Sequence, residues 1–168
     1  MERIAKFQKV SFEQFAKAMK DTFGESEELG RVYDEIILPK RATAGSAGYD
    51  FRSTVSVSLA PGETVMIPTG IRVRIDMGWA LLLFPRSGLG FRYRLQLNNT
   101  VGVIDSDYYD SDNEGHIFIK VTNDSNEGRT CVIERGNAFA QGIFMPFGIT
   151  ADDETSEKRN GGFGSTSR

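Results

Sequence analysis

The residues of this sequence best suited to chemistry are carboxylates, hydroxyls and guanidinium groups set among glycines. Asp50 follows Gly48-Tyr49, and Arg86-Ser87-Gly88 follows the apolar run that ends at Pro85. Asp105-Ser106-Asp107-Tyr108 follows a candidate hairpin that holds Asn98, Asn99 and Gly102. The last fragment is Gly161-Gly162-Phe163-Gly164-Ser165-Thr166. Arginine neutralises phosphate charge, while hydroxyls and glycine N–H groups donate to phosphate oxygens. Carboxylates with no histidine or cysteine beside them suit Mg²⁺, which keeps several waters and binds mainly through substrate phosphates. Each fragment is common taken singly, since Asp-x-Asp also builds ordinary Asx turns.

Other chemistries lack their parts. The chain has one histidine, His116, which removes a His-rich metal site, and with no G-x-S-x-G a Ser-His-Asp hydrolase has no basis. His116 opens an alternating run, so a surface or turn position is expected for it. No Walker A sequence occurs, and Gly88-Leu89-Gly90 lacks the setting of a dinucleotide fold. Phe91-Arg92-Tyr93-Arg94 could mimic a nucleic-acid stripe, but 20 Lys and Arg against 23 Asp and Glu give a net charge of -3, which argues against a nucleic-acid partner. The single cysteine, Cys131, rules out an intramolecular disulfide. Near the start, Glu2, Arg3, Lys6 and Lys9 leave no apolar core of a secretory signal. No apolar run approaches the roughly 20 residues of a membrane span. A soluble protein in the cytoplasm, with no membrane partner, is expected.

Three regions must position these residues. In residues 1–31, the spacing predicts a helix over 11–22: Ser11 caps it, Gln14 reaches back, and Phe12, Phe15, Ala16 and Met19 form its apolar stripe. Gly24 ends the helix, and Glu25 to Glu28 read as a connector. Residues 32–148 change to short strands broken by glycine and proline: Val55, Val57 and Leu59; Val65 and Ile67; Ile71, Val73 and Ile75; the apolar run from Trp79 to Phe84; Ile117, Ile119 and Val121; Val132-Ile133; and Ile143 to Phe147. Short strands at near-regular spacing indicate an all-β sandwich or barrel. Residues 149–168 are too polar and glycine-rich to build a core. In that stretch Phe163 is an aromatic with nothing local to pack on.

In order, these fragments resemble the homotrimeric dUTP pyrophosphatase (dUTPase) family. Five blocks carry the resemblance: Ala47 to Ser53, Pro85 to Gly90, Asn99 to Tyr108, Arg135 to Gln141, and Gly161 to Thr166. About the first 35 residues lie outside them. The resemblance implies a jelly-roll-like β-barrel with an extra N-terminal helix and a flexible glycine-rich C-terminal arm. It implies a homotrimer with active sites shared between chains, and hydrolysis of dUTP to dUMP and pyrophosphate with Mg²⁺ by water attack on the α-phosphorus. Such an enzyme limits uracil in DNA and supplies dUMP for thymidylate synthesis.

The same resemblance implies roles residue by residue. Asp105 holds the attacking water and the 3′-hydroxyl, and Gln141 helps position that water. Arg86, Ser87 and Gly88 contact the phosphates, with the Ser87 hydroxyl near the α–β bridge. Asn99 and Gly102 belong to the hairpin that reads uracil through backbone groups, and Tyr108 lies under the deoxyribose. Phe163 stacks on uracil as the arm closes, Gly164 lies within that contact, and Ser165 and Thr166 bind the β- and γ-phosphates. Asp50 belongs to the metal-water network or to a structural one.

Three departures from the family pattern stand out. The shortened tail spacing leaves Lys158 or Arg159 for the γ-phosphate. The fourth block has Asn137-Ala138-Phe139 in place of an acidic residue, Arg and an aliphatic. Tyr109 to Asn113 reads as a longer, more acidic surface loop. Two alternatives are a dCTP deaminase, whose glutamate base has no match in context, and a trimer that binds dUTP to contact a regulatory protein partner, with the N-terminal helix as the docking element.

Overall fold

The computed structural model describes residues 2–156. Its elements in chain order begin with β1 (Ala5–Lys9), α1 (Phe12–Phe23), α2 (Leu29–Asp34), β2 (Lys40–Arg41), β3 (Tyr49–Arg52) and β4 (Val57–Leu59). There follow β5 (Thr64–Pro68), β6 (Ile71–Ile75), β7 (Trp79–Pro85), α3 (Ser87–Tyr93), β8 (Leu95–Leu97) and β9 (Gly102–Ile104). A 3₁₀ turn (Ser106–Asp110), β10 (Phe118–Asn123), β11 (Cys131–Ile133) and β12 (Ala138–Pro146) complete the set.

All pairings are antiparallel. The largest sheet runs β2-β3-β12-β7-β9, a second runs β5-β10-β8, and β1-β6 and β4-β11 form two-stranded ribbons. Alternation explains which face is inward: in β6, Ile71, Val73 and Ile75 are buried while Arg74 between them is exposed. The inward faces meet in one core that includes Phe51, Ile67, Leu81, Ile119, Val121 and Phe139. This is the expected all-β, jelly-roll-like architecture. β7 lies between β12 and β9 and is almost continuously apolar, with Ala80, Leu81 and Leu83 buried.

The N-terminal segment contributes more than a helix. Ala5–Lys9 adds a strand to β6, a pairing that five residues with weak alternation did not announce. Helix α1 then packs through Phe15 and Met19 into a smaller core with Val10 and Val32, with Ala18 also buried, while Phe12 stays 41% exposed. Fully burying a side chain such as Phe15 contributes about 1.5 to 3 kcal/mol. Ser11 caps α1 by accepting from the Gln14 N–H, and Gly24 closes it at φ 86°. The reciprocal half of the cap differs from the sequence expectation. The Ser11 N–H goes to the Glu114 carboxylate at 2.8 Å, not to Gln14.

Three other expectations change. The connector after Gly24 leads into α2, whose single buried residue, Val32, gave no helical stripe to read. The run after Arg86 forms α3 despite two internal glycines. The turn around Asn99 does not join a hairpin ladder, because its first arm, β8, pairs with β10 and its second, β9, pairs with β7. The two arms enter different sheets and leave a cavity between them.

Candidate active site

Two groups of candidate residues form, at two places. The first lies where β3, β12 and the end of β7 run side by side. Asp50 pairs in register with Gln141, and Gln141 with Phe84, so the ladder brings both beside Pro85 and Arg86. The Arg86 N–H donates to the Phe139 carbonyl at 3.1 Å, extending that ladder one residue past the strand. The Arg86 guanidinium donates to the Asp50 carboxylate, whose side chain is 17% exposed against 38% for the arginine. Asp50 thus has a structural partner: it aims a guanidinium that is still open to solvent. The Gln141 amide donates to the Pro85 carbonyl at 3.3 Å, and a Cβ on Gly48 would collide with its Oε1. Only glycine at 48 leaves the carboxamide where it is. Ser87 and Gly88 are exposed at the start of α3, whose first N–H groups have no acceptor within the helix.

The second group surrounds the turn after β9. Asp105 is half-buried and precedes the 3₁₀ turn, its carbonyl accepting from the Tyr108 N–H at 3.2 Å. Tyr108 is 4% exposed. Its hydroxyl donates to the His116 carbonyl at 2.8 Å and accepts from the Asn113 amide at 2.9 Å. A cavity of about 210 Å³ opens between the diverging arms, lined by Met66, Leu83, Asn99, Gly102, Ile104 and Phe118 among others. Gly102 is buried against Leu83, and Thr100 turns the chain at φ 65°. β8 and β9 are edge strands, so their outer backbone groups border this space. Cavities of about 80 and 420 Å³ flanking α2 contain none of the candidate residues.

Within one chain these groups do not meet. Asp105 comes one step after Ile104, which pairs with Leu81, whereas Arg86 follows the far end of β7. The five residue steps from Leu81 to Arg86 amount to roughly 17 Å at the rise of an extended strand. That exceeds the reach of either side chain toward a common water.

One correction concerns His116 itself. It is fully buried, not at the surface, with its ring against Phe118 and near Phe15. Its Nε2 accepts the Gly70 N–H at 2.8 Å, and burial lowers its pKa to about 4 despite the opposing charge of Glu114. The ring is therefore neutral, a structural acceptor. The segment after Tyr108 does expose Asp110 and Asp112 as a surface loop, but it is anchored: Ser111 is buried, and Glu114 N–H donates to the Ser111 carbonyl at 2.8 Å.

No group of three or more His, Cys, Asp or Glu among the described residues converges to hold a metal. With Asp50 engaged by Arg86, the donor set fits a divalent ion carried by phosphate oxygens instead of a protein cage. The expectations for Arg159, Phe163, Gly164, Ser165 and Thr166 lie outside the described residues. Sequence reasoning missed Glu114 altogether, and no local motif around it would have marked it.

The family model described as dUTPase matches residues 34–167. A deoxyuridine 5′-triphosphate nucleotidohydrolase from Lactococcus lactis subsp. lactis is 48% identical over 134 residues, covering 78% of this chain and 88% of that protein. One of the same name from Tolumonas auensis is 44% identical over 146 residues, covering 82% of this chain and 92% of that protein. The crystal structure of dUTPase from Streptococcus mutans aligns with a TM-score of 0.63 at 34% identity, covering 86% of this chain and 97% of that one.

Proposed function

The chain belongs to the dUTPase family, and from that premise we propose how its residues hydrolyse dUTP to dUMP and pyrophosphate. The observation that carries the proposal is the separation of Asp105 from Arg86 and Gln141. Each active site takes Arg86, Ser87, Gly88 and Gln141 from one chain and Asp105, Asn99, Gly102 and Tyr108 from a neighbour in a homotrimer. A cyclic arrangement satisfies this, because a head-to-tail contact that closes on itself gives every site both halves.

Uracil enters the cavity between β8 and β9, where edge-strand N–H and C=O groups read its polar edge. Cytosine presents the wrong donor and leaves a buried group unpaired. Tyr108, fixed by its hydroxyl bonds, forms a rigid floor beneath the deoxyribose and leaves no space for a 2′-hydroxyl. The Asp105 carboxylate accepts a proton from water as the water oxygen bonds to the α-phosphorus and the bridge to the β-phosphate breaks. Gln141, held in place by the bare Gly48 and the Pro85 carbonyl, orients that water. Arg86 and the Ser87 hydroxyl stabilise the charge that builds on the departing pyrophosphate. The substrate's own phosphates would chiefly hold Mg²⁺, with Asp50 in the network of waters around it, and the ion would offset the phosphate charge. Arg159, Ser165 and Thr166 serve the outer phosphates and Phe163, beside Gly164, stacks on the base. The enzyme works on the cytoplasmic nucleotide pool.

The test is pyrophosphate release from dUTP, dCTP, dTTP and UTP by the natural chain and by Asp105→Asn. Cleavage confined to dUTP and lost in the variant supports the assignment. Equal cleavage of dCTP or UTP removes the cavity and Tyr108 from the account of specificity.

A further inference from the structure

The segment before the family match is tied to the loop that carries Asp105 and Tyr108, and the tie converges on Glu114. Glu114 sits at φ 59°, in the left-handed region, which a glutamate adopts only when its surroundings hold it there. Its two carboxylate oxygens take the two donors of Ser11, the N–H at 2.8 Å and the hydroxyl at 2.6 Å. The Ser11 hydroxyl in turn accepts the Gln14 N–H at 3.1 Å, so Glu114 completes from 103 positions away the cap that opens α1. Its negative charge also lies at the positive end of that helix.

Arg72 joins the same knot. Its guanidinium lies 3.7 Å from the Tyr109 ring centre, donates to the Tyr109 carbonyl at 2.7 Å and stands 3.9 Å from the Glu114 carboxylate. The Tyr109 hydroxyl donates to Gln8 Oε1 on β1 at 2.5 Å. The next residue transmits any movement of Glu114 to the catalytic turn. Gly115 is so tightly placed that a Cβ on it would lie 2.7 Å from Tyr109 Cα and 2.8 Å from the Tyr108 carbonyl. Asp105 caps the 3₁₀ turn that holds Tyr108, and its carbonyl accepts the Tyr108 N–H at 3.2 Å, so the chain of contacts from Ser11 reaches Asp105 through the turn's backbone.

We propose that residues 5–14 act as a clasp on the catalytic turn, with Glu114 as the positioning residue that fixes Asp105 and Tyr108. The proposal rests on the roles given above to those two residues. Gln8 and Ser11 lie before residues 34–167, the part matched by the family model, so the tie reaches the catalytic turn from outside that part. Burial works against the Glu114 charge, but the two Ser11 donors and Arg72 outweigh it and hold the carboxyl below its usual range.

The test uses the full chain with Glu114→Ala, Glu114→Gln and, to leave the loop sequence intact, Ser11→Ala. Two readouts are taken at a temperature where all variants are folded: amide hydrogen exchange across residues 105–116, and kcat and KM for dUTP and UTP. Glu114→Ala is expected to speed exchange in that segment, lower kcat for dUTP by roughly tenfold to a hundredfold and narrow the preference for dUTP over UTP. Ser11→Ala should move all three the same way by less. Glu114→Gln, whose amide oxygen can still accept the Ser11 N–H while its NH₂ donates to the Ser11 hydroxyl oxygen, should stay within about threefold of the natural chain. A merely smaller folded fraction would lower both rates together and leave the dUTP-to-UTP ratio unchanged, which overturns the proposal. Unchanged exchange overturns it whatever the kinetics show. A natural chain that does not cleave dUTP contradicts the catalytic roles instead, and exchange alone then decides whether the clasp exists.

Discussion

Mixing two inactive variants should restore activity, and the amount can be worked out beforehand. Asp105→Asn removes the carboxylate at one end of β7, and Arg86→Gln, combined with Asp50→Asn so that no half-buried carboxylate is left unpaired, removes the guanidinium at the other. In the proposed homotrimer, either variant alone then lacks one half of every site. If a site draws Arg86 from one chain and Asp105 from a neighbour, random reassembly of an equimolar mixture makes about a quarter of the sites intact, because each half is natural in about one draw of two. A three-to-one mixture lowers the fraction to about three sixteenths by the same rule. The assay is pyrophosphate release from dUTP after the two chains are unfolded together and refolded, with each variant refolded alone as baseline. Recovery near a quarter of the natural rate, with a maximum at equal amounts, is the expected result. No recovery, with mixed trimers present by mass, would refute the reasoning, since it would mean that one chain supplies both residues despite the length of β7 between them.

Acid should weaken the fold through His116. Its folded pKa of about 4 lies below the ordinary 6.5, so between these values the unfolded chain takes up a proton that the folded one refuses. Its contribution is fully present above pH 6.5 and is lost as pH falls toward 4, about 3 kcal/mol in all; chemical denaturation across that window should show this slope in the natural chain and not in His116→Asn. Gly48→Ala should displace the Gln141 carboxamide and cut kcat on the order of tenfold to a hundredfold while moving the melting temperature little, because the backbone at 48 is not in the left-handed region. A large fall in stability with kcat per folded enzyme unchanged would contradict that assignment. Phe163→Ala should raise KM for dUTP by the roughly 1 to 3 kcal/mol of one base–aromatic stack, and unchanged kinetics would remove the stacking role.

Most of the strands could be read from the chain because alternation and glycine or proline breaks are local signals. Ile71, Val73 and Ile75 announce β6, and the run from Trp79 announces β7. What stayed hidden depends on contacts distant in sequence. Ala5–Lys9 becomes a strand only because β6 offers an edge, and α3, with Gly88 and Gly90 inside it and no buried residue, carries no apolar stripe to announce it. The candidate site divides in the same way. The five blocks identify the chemistry, but nothing in their spacing reveals that Asp50, Arg86 and Gln141 gather at one end of β7 while Asp105 lies at the other. Nor does an alternating run reveal that His116 is buried against Gly70, or a serine and a glutamate 103 positions apart that they close one helix cap.

The central claim is that water held by Asp105 attacks the α-phosphorus of dUTP. Hydrolysis in water enriched in heavy oxygen, followed by mass analysis of both products, tests it directly. The heavy atom is predicted in dUMP with none in pyrophosphate, and Asp105→Asn should release both products only at background rate. Label in pyrophosphate, or an undiminished rate in the variant, would place the attack at another phosphorus or the water on another residue.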